Sequence, residues 1–203
     1  LKAMSVPSEP AKTALTWNAT GDEITVDTGA LKFVVNRKRF AGIERAWYDP
    51  AGKGRYADEQ FVIGAPGGPY MVDGRMIRFE AMYDREAEVV VEEAGPVRVT
   101  IRAEGWYQTP ENRVKPICRF QTRIMAYAGL PMLRVVQSAI LAYDTRECQI
   151  KDLGFAIKAT ENDDFRLGAD GKVYEGALGK QVVWLHQDRY DHFRLMGAKA
   201  KVA

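Results

Sequence analysis

Histidine and cysteine are scarce in this sequence, with two of each in 203 residues, and that scarcity removes several chemistries together. Structural zinc needs cysteine and histidine ligands in close groups, and there is no CxxC pair and no Cys/His cluster. Cys118 falls on the apolar side of an alternating stretch and Cys148 in a polar link, and the spacing leaves open whether they pair. A GxSxG elbow is missing, so nucleophilic serine chemistry has no local signature. GAPGGP at 64–69 lacks the GK[ST] ending of a phosphate loop. No cofactor is expected. The acidic run ENDD at 161–164 is the one candidate calcium contact, and such runs are usually solvated loops.

Long apolar runs are absent too. A membrane helix needs about 18 consecutive apolar residues. The longest candidate, residues 117–141, is interrupted by Arg119, Arg123 and Arg134. Charge of one sign does not dominate, since 29 basic residues face 27 acidic ones for a net +2. That balance supplies no broad positive field and argues against a nucleic-acid partner. No window carries an apolar stripe at i, i+3, i+4 and i+7, so helices are expected to be short. The opening LKAMSVPSEPAKTALTW lacks the basic-then-apolar pattern of a signal peptide. Residues 1–20 are expected to be an extended leader or linker, 21–196 a single β domain, and 197–203 a tail.

What is present is alternation. Leu31, Phe33 and Val35 alternate with Lys32, Val34 and Asn36, and a short segment at 43–48 ends in a DPAG turn. Residues 50–75 are rich in glycine and proline and read as a long surface loop. The middle is the most regular part. Residues 87–93, 97–106, 120–126 and 133–139 alternate with period two and are separated by turns such as AGP at 94–96 and GLP at 129–131. This describes an antiparallel β-meander. Further strands are expected at 151–160, with Leu153, Phe155 and Ile157 inward, and at 182–185 as the last apolar strand. The fold class is all-β.

Parity then gives a surface. Because a one-residue slip would expose the core side, the apolar sets must register together. The opposite face then carries Arg98, Arg102, Arg119, Arg123 and Arg134, with Glu104 the main acidic residue among them. The guanidinium fork binds carboxylates in bidentate fashion, so this face suits an acidic polysaccharide. The alternative is that the arginines pair with acids of adjoining strands and cover apolar surface with their stems. A second constellation is WLHQDRYDHF at 184–193, holding Trp184, His186, Arg189, Tyr190 and His192. Histidine exchanges protons near neutral pH, and Tyr and Arg often complete such sites. The six-residue spacing of the histidines is not that of a helical zinc pair. Trp184 also suits sugar stacking.

Three segments, GDEITVDTGALKFVV, VVVEEAGPVRVTIRAEGWY and FQTRIMAYAGLPMLRVVQSAIL, followed by IKDLGFAIKA, resemble the β-rich amino-terminal region of exo-rhamnogalacturonan lyase-like proteins. The resemblance covers roughly residues 20–160 and implies a β-sandwich of the galactose-mutarotase-like supersandwich kind. Where relatives often carry His-Thr, this chain has Gln137 and Ser138, and the helical toroid of the full-length relatives has no counterpart here. No catalytic residue is therefore carried over. The resemblance implies a carbohydrate-associated module that binds a uronate-containing polysaccharide, secreted or periplasmic. A small polysaccharide lyase or epimerase using His186, Tyr190, His192 or Arg189 is the second reading. A structural subunit of an extracellular assembly, pairing with further copies of itself, is the third.

Overall fold

A computed structural model describes residues 15–144, 146–160, 164–169, 171–177, 183–189, 192–197 and 201–202. The described chain is mostly strand, and its only helical pieces among the described residues are two three-residue 3-10 turns at Asp58–Gln60 and Ala81–Tyr83. It separates into two compact units between Lys158 and Ala159, dividing the stretch expected as one domain over 21–196.

The first unit holds two sheets. One runs in the order β1 (Thr16–Thr20), β2 (Glu23–Asp27), β3 (Leu31–Asn36), β4 (Arg45–Tyr48), β5 (Phe61–Asp73) and later β11 (Ile150–Ala159), with β6 (Arg78–Glu80) pairing the far end of β5. The other is the expected meander: β10 (Leu133–Leu141), β9 (Cys118–Tyr127), β8 (Arg98–Trp106) and β7 (Glu88–Ala94) in neighbouring order. Each tight reversal sits where the sequence places a turn former. Gly129, at φ +71°, closes β9 to β10 in a conformation that a side chain would strain.

The inner faces of the two sheets meet in one core. Ile24, Val26, Phe33 and Val35 come from the first sheet, and Val99, Ile101, Phe120 and Ile124 from the second. Phe40 stacks on Phe120 at 5.8 Å between ring centroids, and Tyr107 meets the same ring edge-on at 5.6 Å. Each such side chain contributes about 1.5–3 kcal/mol by leaving water, which is ample reason for the strict alternation. Cys118 is part of this core, and both cysteines are free thiols. Gln137, where relatives often carry histidine, donates to the Tyr107 hydroxyl at 2.8 Å and accepts from the Thr122 hydroxyl, a polar tie inside the apolar layer.

Four expectations are corrected. Residues 16–20 are not leader but β1, antiparallel to β2. The glycine- and proline-rich stretch is a loop only up to residue 60, and from Phe61 to Asp73 it is the 13-residue strand β5. The glycines there serve close approach. A Cβ on Gly67 would lie 2.3 Å from the Ala156 carbonyl oxygen, and one on Gly68 2.5 Å from the Ala41 carbonyl carbon. Leu153 and Ile157 of β11 are exposed rather than inward, while Phe155 does pack, against Gly42. The strand near 182–185 is not the last, because two more follow it.

The second unit contains a three-stranded sheet, β12 (Asp164–Ala169), β13 (Lys172–Ala177) and β16 (Lys201–Val202), and a two-stranded hairpin, β14 (Trp184–Arg189) with β15 (His192–Met196). Lys201 and Val202, expected as tail, are therefore strand. Among the described residues, no helix is long and apolar enough to cross a membrane.

Candidate functional site: the outer face of the meander

The cross-strand register places the five arginines as parity requires. Rows across the outer face read Val90, Arg102, Arg123 and Val136; Glu88, Glu104, Gln121 and Ser138; and Trp106, Arg119 and Ile140. Arg98 lies opposite Tyr127, and Arg134 opposite Met125. All five share one side of the sheet.

The middle of this face is internally neutralised. Arg102 contacts Glu104 at 2.6 Å, Glu88 at 3.1 Å and Glu92 at 3.5 Å. Arg123 grips both oxygens of Glu92, through Nε at 2.7 Å and Nη2 at 2.8 Å, and its Nη1 donates to Gln121 at 2.7 Å. Arg98 pairs with Glu93 at 2.6 Å. Glu88, Glu92 and Glu93 all come from β7, where a bulge between Val91 and Glu93 lets two consecutive glutamates reach the arginines. The Arg123 guanidinium holds the Glu92 carboxyl below the usual carboxylate range, and Arg102 with Gln121 does the same for Glu104. Glu104 is thus one of four acids on this face, not its principal one.

The end of the face is different. The Arg119 guanidinium lies over the Trp106 ring, 5.7 Å from its centroid, and forms no ion pair among the described residues. Beside it stands Ile140, the cross-strand neighbour of Arg119, about half exposed. A cation on an aromatic face, flanked by exposed apolar surface, is a contact for a ring that carries both C–H faces and a negative charge. Arg134, at the opposite end, also has no ion pair among the described residues.

Trp106 is held in place from below. Its backbone N–H donates to the Asp84 carboxylate at 2.7 Å, and the other Asp84 oxygen accepts from Glu86 N–H at 3.1 Å. Asp84 is buried, and it reaches this position only because residue 105 is glycine: a Cβ there would sit 2.4 Å from Asp84 Oδ2. The sequence contains a signal for Trp106, since the alternation through Arg98 and Arg102 continues onto it; attention to charge alone passes it over.

A family model described as the PcRGLX-like protein central beta sandwich domain matches residues 15–167. The chain belongs to this family. The PcRGLX-like match takes in both sheets of the first unit and runs into β12. It identifies the domain as a β-sandwich of a rhamnogalacturonan lyase-like protein, described as the central sandwich where the sequence motifs point to an amino-terminal region. A comparison with curated proteins gives no match.

The histidine-bearing segment lies beyond the PcRGLX-like match. In the β14–β15 hairpin, His186 pairs with Arg194, Trp184 with Met196, and Arg189 with His192 across a register shift. Alternation along the two strands puts Trp184, His186, His192 and Arg194 on one face of the hairpin, and the shift brings Arg189 opposite His192. Trp184 is 45% exposed. Tyr190 lies outside the described residues, as do residues 161–163 of the candidate calcium run. Among the described residues, no group of three or more His, Cys, Asp or Glu is placed to hold a metal.

Proposed function

We propose that this PcRGLX-like sandwich is an accessory module that holds a uronate-containing polysaccharide, with Trp106 and Arg119 as its principal contact. The observation that carries the reading is the contrast within one sheet face. Arg98, Arg102 and Arg123 already have carboxylates in direct contact, whereas Arg119 lies on a tryptophan with no ion-pair contact among the described residues and acts on Glu104 only from further off. A sugar carboxylate gains a bidentate partner at Arg119 without displacing a resident acid. A pyranose ring gains the apolar face of Trp106 and the neighbouring Ile140. Arg134 offers a second open guanidinium, and the central arginines act as a frame. The accessory role is supported by the absence of either histidine from the first unit. An extracellular or periplasmic setting follows from the ligand.

Affinity electrophoresis through gels containing polygalacturonate tests this. Trp106→Ala and Arg119→Ala are expected to abolish retardation, Arg123→Ala to preserve it, and a neutral galactan gel to retard none of them. Retardation unchanged in Arg119→Ala, or lost equally in Arg123→Ala, would refute the assignment.

A further inference from the structure

The turn that supports Trp106 also forms the wall of a groove. Lys38, Arg39, Met82, Tyr83, Arg85 and Pro110 line a concave space of about 450 Å³. That lies within the size range of small-ligand sites, roughly 300–1,000 Å³. Three of the six lining residues are cationic and none is acidic. The cations come from two separate turns: Lys38 and Arg39 follow β3, and Arg85 follows the 3-10 turn Ala81–Tyr83.

The charges in the groove are available. Arg85 is exposed and forms no ion pair among the described residues. Lys38 pairs with Asp22 at 3.1 Å and Arg39 with Glu44 at 3.2 Å, but both cations are more than half exposed, and such surface pairs are weak. Acids do stand nearby. Glu80 lies near Tyr83 and pairs with Arg78 at 2.6 Å, and Asp84 is turned inward to the Trp106 and Glu86 amides. Each of these carboxylates therefore has its own donors. Tyr83 gives the groove an aromatic surface beside its cations.

We infer that this groove is a second subsite for an acidic sugar, taking a uronate residue further along the chain that rests on Trp106 and Arg119. Three observations point to a carboxylated ring rather than a bare anion: the aromatic wall, the apolar Met82 and Pro110, and the continuity of the wall with the Trp106 support. Residues 83 and 85 flank the aspartate that receives the Trp106 N–H, so the groove wall and the Trp106 support belong to one short turn. The inference rests on the proposed sugar platform, and its test separates the two.

Backbone and indole NMR of the full chain, titrated with oligogalacturonides of increasing length, reads both places. Shifts are expected at the Trp106 indole with short oligomers, and additionally at the amides of 38–39 and 82–85 with longer ones. Arg85→Gln and Arg39→Ala, both at exposed positions, are each expected to weaken long-oligomer binding about tenfold, as befits loss of one charge-assisted contact, while short-oligomer shifts at Trp106 persist. Long-oligomer shifts confined to Trp106 and Arg119 would overturn the groove and leave the platform standing. Shifts confined to the groove would overturn the platform and, with it, the continuous path. Equal groove shifts from inorganic phosphate, or from neutral galactan oligomers, would overturn the uronate assignment.

Discussion

On the inner side of the four-stranded sheet, Val99, Ile101, Ala103, Phe120, Ile124 and Ala126 are almost wholly removed from water. One residue away along the same strands, Arg98, Arg102, Arg119 and Arg123 keep contact with solvent and are held by charge and stacking. The inner residues gain by area and shape, so each depends on all its neighbours. The outer residues gain by pairwise electrostatics in a high-dielectric setting, so each can change with small effect on the fold. This difference assigns stability to one side of the sheet and leaves the other free to acquire a ligand. The largest expected contrast is therefore Phe120→Ala. The ring contacts both Phe40 and Tyr107, and removing it should lower unfolding stability by about 3–5 kcal/mol, read as the denaturation midpoint. A loss below about 1 kcal/mol would mean that the two sheets are not packed as described.

Gly105 joins the two sides, and breaking it should give the next largest effect. Valine there would drive a side chain into Asp84, near Ala87 and Phe120, and unseat the support of Trp106. Overpacking of this kind costs about 1–3 kcal/mol, so thermal unfolding should report the loss, and Trp106 fluorescence should change with it. Unchanged fluorescence in a folded Gly105→Val protein would separate Asp84 from the tryptophan's position.

Acid should act next, through buried aspartates that order the loops. Burial alone would raise the Asp73 carboxyl, yet the Ile77 and Arg75 donors outweigh it and hold it below its ordinary value of 3.8. Asp49 behaves alike, with donors from Ala51, Lys53 and Arg55. A carboxyl depressed in the folded state contributes stability above its unfolded value, and that stability disappears as pH falls through the folded value. The melting temperature should thus be flat near neutrality and drop below about pH 4, with Asp73→Asn lower at neutral pH and less steep in acid. Parallel curves for the two proteins would remove Asp73 from the account.

These comparisons also mark what alternation could and could not reveal. The period-two pattern made β8, β9 and β10 readable together with their register, because one buried face leaves a single pairing that hides Val99, Phe120 and Ile124. β5 was unreadable because its glycines and prolines resemble a loop, and only the nearness of Ala156 and Ala41 explains why they sit in a strand. Pairing of the arginines with acids of adjoining strands was legible, but not the identity of all the acids: the bulge at Glu92 breaks strict alternation, so parity does not count Glu92 and Glu93 onto one face. The outward position of Leu153 and Ile157 was likewise hidden, since an apolar alternation signals a buried face without saying what buries it. The groove had no linear signal at all. Lys38, Tyr83 and Pro110 come from three turns that only the folded chain brings together.

The smallest expected effect on stability is also the most informative about function. Arg102 touches three carboxylates, and Arg102→Ala leaves Glu88, Glu92 and Glu104 facing one another, so a loss of about 1 kcal/mol is expected, shrinking as salt is added. Arg119→Ala breaks no ion pair and should leave the melting temperature where it was. The two variants should then exchange rank in a polygalacturonate binding assay, with Arg119→Ala losing affinity and Arg102→Ala keeping most of it. If both followed the same order in stability and in binding, charge on this face would serve the fold alone. If the order reverses, the end of the sheet at Trp106 is separable from the frame that holds it, as a ligand contact built on a finished sandwich must be.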